Sequence, residues 1–197
     1  ADRRGLKLHG GTVSAAGLAL LENGAAESIV AGVALGDTSF YARVAAAERV
    51  AFRPAPITHG PAGLGGIERF IALNSAMEVD LFGQANAEAA SGRILAGFGG
   101  LNDFLRAARA SPGGRTVVML PATGAKGTVS RIVARLGDPG LVSAQRGDID
   151  TVVTEHGIAD LRGRDLDSRA AALIAIAAPQ FRDELAARWA EIRARLA

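Results

Sequence analysis

Residues 70–104, FIALNSAMEVDLFGQANAEAASGRILAGFGGLNDF, join a polar strand-like segment, a glycine-rich turn and the start of a helix in one unit. Strand, turn and helix in succession are the step from which layered α/β folds are built. The rest of the chain repeats that alternation. Residues 5–9 read as a short strand ending in a turn at Gly10-Gly11. A helix follows to Asn23, with Ser14 as its cap and Gly24 as its stop, and it turns Leu18 and Leu21 to the core. Residues 28–35 read as a buried strand, Asp37 or Thr38 as the cap of a helix through Ala47, and 50–53 as another strand. Residues 54–66 form a Pro/Gly-rich loop.

Residues 70–82 read as two strands with Asn74-Ser75 breaking the apolar run. Residues 94–96 feed the turn Gly97-Phe98-Gly99-Gly100, and Asn102 caps a helix to about Ala110. Segments 115–120, 129–133 and 151–154 are rich in β-branched residues and read as strands. A helical tail covers about 167–197, with Pro179 in a first turn. There Phe181, Leu185, Trp189, Ile192 and Leu196 recur at spacings of three and four, an apolar stripe that packs on the sheet or on a partner. Glu184 with Arg188, and Glu191 with Arg195, are favourable pairs on the other face.

Composition excludes several function classes. The 197 residues are 49% hydrophobic and 21% charged, which suits one globular domain with a helical appendage. No apolar run approaches the roughly 20 residues that span a bilayer. The opening Ala1-Asp2-Arg3-Arg4 lacks the apolar core of a signal peptide, so the expected location is cytoplasmic. The chain starts without a methionine, at a strand, and reads as a fragment of something longer. The absence of cysteine rules out disulfides, zinc–cysteine sites and a thiol nucleophile. His9, His59 and His156 are not spaced as a metal pair, so no metal is expected. The net charge is +2 with the arginines scattered, which argues against nucleic acid.

Three motifs carry chemistry. Gly97-Phe98-Gly99-Gly100, between strand and helix, either presents backbone N–H groups to a phosphate or merely supplies positive φ. Asn74, Glu78, Asp80, Gln84, Asn86 and Glu88 stand at even spacing, while Leu73, Met77, Val79 and Leu81 alternate with them. That pattern predicts a polar face opposite the core, either solvated or forming a cleft wall. His9 beside two glycines, and Glu155-His156 at a strand end, are either structural or substrate-orienting. Gly124-Ala125-Lys126-Gly127-Thr128 has the wrong order for a phosphate loop and reads as a turn. No nucleophile elbow is present.

Together these segments resemble the acetyl-CoA hydrolase/CoA-transferase family, which includes 4-hydroxybutyrate and butyryl-CoA:acetate CoA-transferases. FIALNSAMEVDLFGQANAE resembles its strand and loop with Asn-Ser-Ala, Glu-Val-Asp-Leu and Gly-Gln-x-Asn-x-Glu. AGFGGLNDF resembles its glycine turn, with Leu101 where a glutamine is usual. VVMLPATGAKGTVSRIV, DIDTVVTEHGIADLRGRDLDSRA, Arg53-Pro54 and Thr58-His59-Gly60-Pro61 extend the match over essentially the whole chain. The resemblance covers only the C-terminal part of a full-length member. It implies a NagB/RpiA/CoA-transferase-like sheet flanked by helices, with a C-terminal amphipathic helix. It also implies acyl-CoA and a small carboxylate as substrates, an N-terminal CoA-transferase domain as partner, and a homo-oligomer, with no metal. The residues it assigns to coenzyme A are Asn74, Asn86, Gly97, Gly99 and Gly100. The family's nucleophile is a glutamate that forms an acyl-glutamyl anhydride and then a glutamyl-CoA thioester. Here that position is Gly11. Either a water fills the space and His9, Glu78 or Glu88 serves as base, or the chain binds CoA or closes a cleft without turnover.

Overall fold

The computed structural model describes residues 3–196. Ala1 and Asp2, in the opening read above for a signal peptide, and Ala197, at the end of the helical tail, lie outside the described residues. Contacts divide the chain into two compact units, Ala1–Ile67 and Glu68–Ala197.

In the first unit β1 (Leu6–Val13), β2 (Ala26–Ala34) and β3 (Val50–Phe52) form a parallel sheet in that order. Parallel neighbours need helical crossovers, and α1 (Ala15–Glu22) and α2 (Thr38–Ala46) supply them. Both caps are as the sequence predicts. Ser14 accepts from the N–H of Gly17, and Asp37 accepts from that of Phe40. Leu18, Leu21, Phe40 and Val44 bury the helices against Val13, Ile29 and Ala31. Two expectations fail here. No turn occurs at Gly10-Gly11, because β1 runs through both glycines and Gly10 pairs with Ala31. The segment read as a loop at 54–66 winds into two single helical turns, α3 (Ala55–Thr58) and α4 (Pro61–Leu64), each with a proline in its first turn.

In the second unit β4 (Ile71–Ser75), β9 (Arg115–Met119), β13 (Thr151–Thr154) and β14 (Gly157–Asp160) make a sheet ordered β14-β13-β9-β4. Its pairs are parallel except for the β13-β14 hairpin, which sequence reading missed. Between β4 and β9 lie β5 (Glu78–Asp80), β6 (Ala85–Asn86), β7 (Ala89–Ala90), β8 (Arg93–Ile94) and α5 (Leu101–Ala110). Between β9 and β13 lie β10 (Thr123–Gly124), β11 (Val129–Ser130) and β12 (Ile132–Val133). The single strand expected at 129–133 is thus two. β11 pairs with β10, whereas β12 joins β5 and β6. The β10-β11 turn at 125–127 is the turn expected there.

The tail consists of α6 (Leu166–Ala175), a short 3-10 turn at Pro179–Phe181 and α7 (Arg182–Ala194). Leu185 and Ile192 are buried, as their stripe predicts, but Leu196 is exposed. The Trp189 indole N–H donates to Asp167 at 3.0 Å. Arg188 pairs with Glu191 at 2.8 Å, three residues on, in place of the expected Glu184.

Candidate functional site

The site is best built from Asn86, which is only 3% exposed at the end of the β5-β6 hairpin. Its Oδ1 accepts from the backbone N–H groups of Glu88 and Ala89, both at 2.9 Å. Its Nδ2 donates to the Ala89 carbonyl at 2.7 Å and to Glu78 Oε2 at 3.3 Å. Two acceptor and two donor positions are all a carboxamide has, so Asn86 is fully used inside the loop. It shapes the site and has no hydrogen bond left for a ligand. Glu88 is fastened at both ends. Its carbonyl accepts from Leu95 and Ala96, and its Oε2 accepts from the buried Ser143 hydroxyl at 2.7 Å. Ser143 also accepts from the N–H of Ala87. Asn86 thus ties the half-buried Glu78 carboxylate to the backbone of Glu88, whose own carboxylate is held by Ser143. Nothing in the sequence signalled Ser143.

The turn before this loop is held from beneath. Asp80, 1% exposed, accepts from the N–H groups of Phe82 and Gln84 through Oδ1 and from Gln84 Nε2 through Oδ2. Burial pushes its carboxyl above the usual range, and these hydrogen bonds pull partly back. The buried Arg169 guanidinium donates to the carbonyls of Phe82, Leu161 and Arg146, each at 2.9 Å. Asp80 and Gln84, read as part of an open polar face, are thus internal braces.

Asn74 lies within β4, which continues through Ser75, so the strand break falls later than predicted. The alternation there is also inverted, since Leu73 is exposed and Ala72 buried. Asn74 Nδ2 is buried and finds no hydrogen-bond partner. An orphan donor of this kind is uncommon, and a buried water or a ligand atom would satisfy it. β4 and β9 are parallel and α5 connects them, so α5 starts near the carboxyl end of β4, where Asn74 sits. Open α/β sheets bind ligands at that end. The cap of α5 is Gly100, not Asn102, and no side chain caps it. Gly99 has φ +54, a left-handed conformation that favours glycine. Gly97 has no such need. Its φ is ordinary, and a Cβ there would meet nothing within 4 Å, so the fold itself does not ask for the glycine. Beyond β13, Glu155 accepts from the N–H of Ala122 at 2.8 Å, which holds its carboxyl below the usual range.

In the first unit, His9, Gly11, Thr58 and His59 come together. His9 Nε2 lies 3.0 Å from the Thr58 carbonyl, which can only accept, so that nitrogen carries a proton. Thr58 Oγ1 and His59 Nδ1 are 2.8 Å apart. A Cβ on Gly11 would lie 3.0 Å from His59 Nε2 and 3.1 Å from Cε1. The His59 imidazole thus packs directly against Gly11 and takes up the room a side chain there would need, a contact that sequence reading did not predict. Among the described residues no group of three or more His, Asp or Glu side chains is placed to hold a metal. No helix among them is long and apolar enough to cross a membrane.

Residues 36–189 match the acetyl-CoA hydrolase/transferase C-terminal domain. A 4-hydroxybutyrate coenzyme A transferase of Clostridium kluyveri is 42% identical over 60% of this chain and 28% of its own length. A succinyl-CoA:cyclohexane-1-carboxylate CoA transferase of Geobacter metallireducens is 37% identical over 79% of this chain and 36% of its own. RipA from Yersinia pestis superposes with a TM-score of 0.87 at 31% identity, covering 98% of this chain and 45% of that one. The chain spans about a third of the curated relatives it matches. It belongs to the acetyl-CoA hydrolase/transferase family, within that family's C-terminal domain.

Proposed function

We propose that this chain is the CoA-holding domain of a longer enzyme that processes acyl-CoA thioesters, by hydrolysis or by passing CoA to a small carboxylate. The observation that carries the reading is the buried, partnerless Nδ2 of Asn74 at the carboxyl end of β4. An acyl-CoA offers amide, thioester and phosphate oxygens, any of which satisfies that donor. Gly97, Gly99 and Gly100 let the CoA chain approach the backbone, and the uncapped start of α5 supplies N–H groups, although Asp103 in that turn opposes an anion. Asn86 contributes by shaping the loop that carries Glu88. Glu78 and Glu88 in the second unit are candidate proton acceptors, and His59, beside Gly11 in the first unit, is a separate candidate base. His9 is the weaker candidate because its Nε2 donates to Thr58. A cytoplasmic homo-oligomer that includes the N-terminal part of the relatives belongs to the same reading.

A second reading rests on Gly11 itself. A glycine forms no anhydride, so a scaffold that binds CoA without turning it over is the alternative. One experiment separates the two. The full-length protein is incubated with acetyl-CoA and short carboxylates, and every CoA species is followed by chromatography. Free CoA or new acyl-CoAs support the enzyme, whereas bound but unchanged acetyl-CoA supports the binder. Asn74→Ala should raise KM at least several-fold in the first case, and an unchanged KM removes Asn74 from the CoA site.

A further inference from the structure

The four-stranded sheet of the second unit has one covered and one open face. Ala72, Thr116, Val118, Val152 and Ala159 are buried on the first, where α5 packs on β4 and β9 and α6 on β14. Register puts two rows across the other: Leu73, Val117, Thr151 and Asp160, then Ser75, Met119, Val153 and Ile158. Ile71 and Arg115 extend it by one position. Ile71 is 52% exposed, Leu73 61%, Met119 41% and Ile158 71%. Arg115 and Asp160 approach to 4.0 Å at one edge of this largely apolar surface. A contiguous exposed apolar patch marks an interaction site.

Parallel strands are covered on both faces almost without exception, yet β4, β9 and β13 are covered on one. The missing cover has a source of the right size. The chain accounts for 28–36% of the curated relatives' length, and the matched domain is by description the C-terminal one. We propose that the open face of this sheet seats the N-terminal portion of the longer protein, through an apolar surface with charges that complement Arg115 and Asp160 at one edge. The proposal rests on the reading that the chain works as part of such a protein. It adds to that reading which surface makes the joint.

The two methionines provide the test, because Met119 lies on the face and Met77 is half-buried elsewhere. Dilute peroxide oxidises methionine sulfur according to its exposure, so Met119 should react about tenfold more slowly in the full-length protein than in the 197-residue chain, relative to Met77. Equal relative rates overturn the proposal. So does protection of Met119 in the short chain that grows with its concentration, which would assign the face to a second copy. Ile158→Lys gives an independent check. It should lower the melting temperature of the full-length protein while leaving the short chain within a degree or so, as befits an exposed site. Equal effects in both overturn the joint. A full-length protein that turns over acetyl-CoA with Met119 still reactive discards this surface and leaves the functional reading standing.

Discussion

Replacing Asn86 by alanine strips four hydrogen bonds from one loop and adds none. The Ala89 N–H and C=O are buried and lose their partners outright, whereas the N–H of half-buried Glu88 can reach water. A buried polar group left unsatisfied costs about 1–3 kcal/mol, so two of them with a smaller share from Glu88 give about 3–4 kcal/mol. Against a typical total of about 5–15 kcal/mol this is large, and at about 2–4 °C per kcal/mol it lowers the melting temperature by roughly 10 °C. Urea unfolding and calorimetry of wild type and variant measure it. Asn86→Asp adds a directional check. It keeps the acceptors for Glu88 and Ala89 but turns an oxygen toward the Ala89 carbonyl and Glu78 Oε2. Its deficit should be greatest at neutral pH and shrink on acidification, because a protonated carboxyl can donate where the amide did. A loss below about 1 kcal/mol for Asn86→Ala would refute the view of this side chain as the brace of the loop.

Three further outcomes are expected. Gly83→Ala places a side chain at φ +86, against the Arg169 guanidinium and 3.1 Å from Leu161 Cδ1, so it should cost about 3 kcal/mol in wild type and less in an Arg169→Met background, where only the Leu161 contact and backbone strain of about 1 kcal/mol remain; equal costs in the two backgrounds would break the link. In the full-length protein, Gly11→Glu alone meets the His59 ring and should give no exchange of labelled acetate into acetyl-CoA, whereas Gly11→Glu with His59→Ala should give it. A folded, CoA-binding double variant that exchanges nothing counts against the assignment of position 11. Burial raises the Asp80 carboxyl, so the folded state takes up its proton more readily than the unfolded chain. Asp80 therefore adds stability as pH falls from 7 toward the ordinary value of about 3.9. Wild type should gain on Asp80→Asn over that window, and a relative loss contradicts the burial argument.

Much of this was legible in sequence where the cause is local. Ser14 and Asp37 cap helices because a side-chain oxygen reaches an N–H three residues on, and no distant contact is needed. Motif resemblance reached further than periodicity did, and the family match over 36–189 bears it out. Failures came where a neighbour in space overrode the local signal. Gly10-Gly11 looks like a turn until β2 pairs with it, and the even-spaced polar residues look like one face until hairpins redirect them. Asn102 resembles a cap, but the helix begins one residue before it, at Leu101, and Gly100 is its cap.

The sequence by itself determined the α/β alternation, the starts of α1 and α2, and the family, since these depend on residue order within a few turns of chain. Only the tertiary structure decided that Asp80 and Asn86 are internal braces, that His59 faces Gly11, and that one face of a largely parallel sheet stays open. Burial, orphaned donors and exposed faces depend on residues far apart in the chain, and no local pattern encodes which of them will meet.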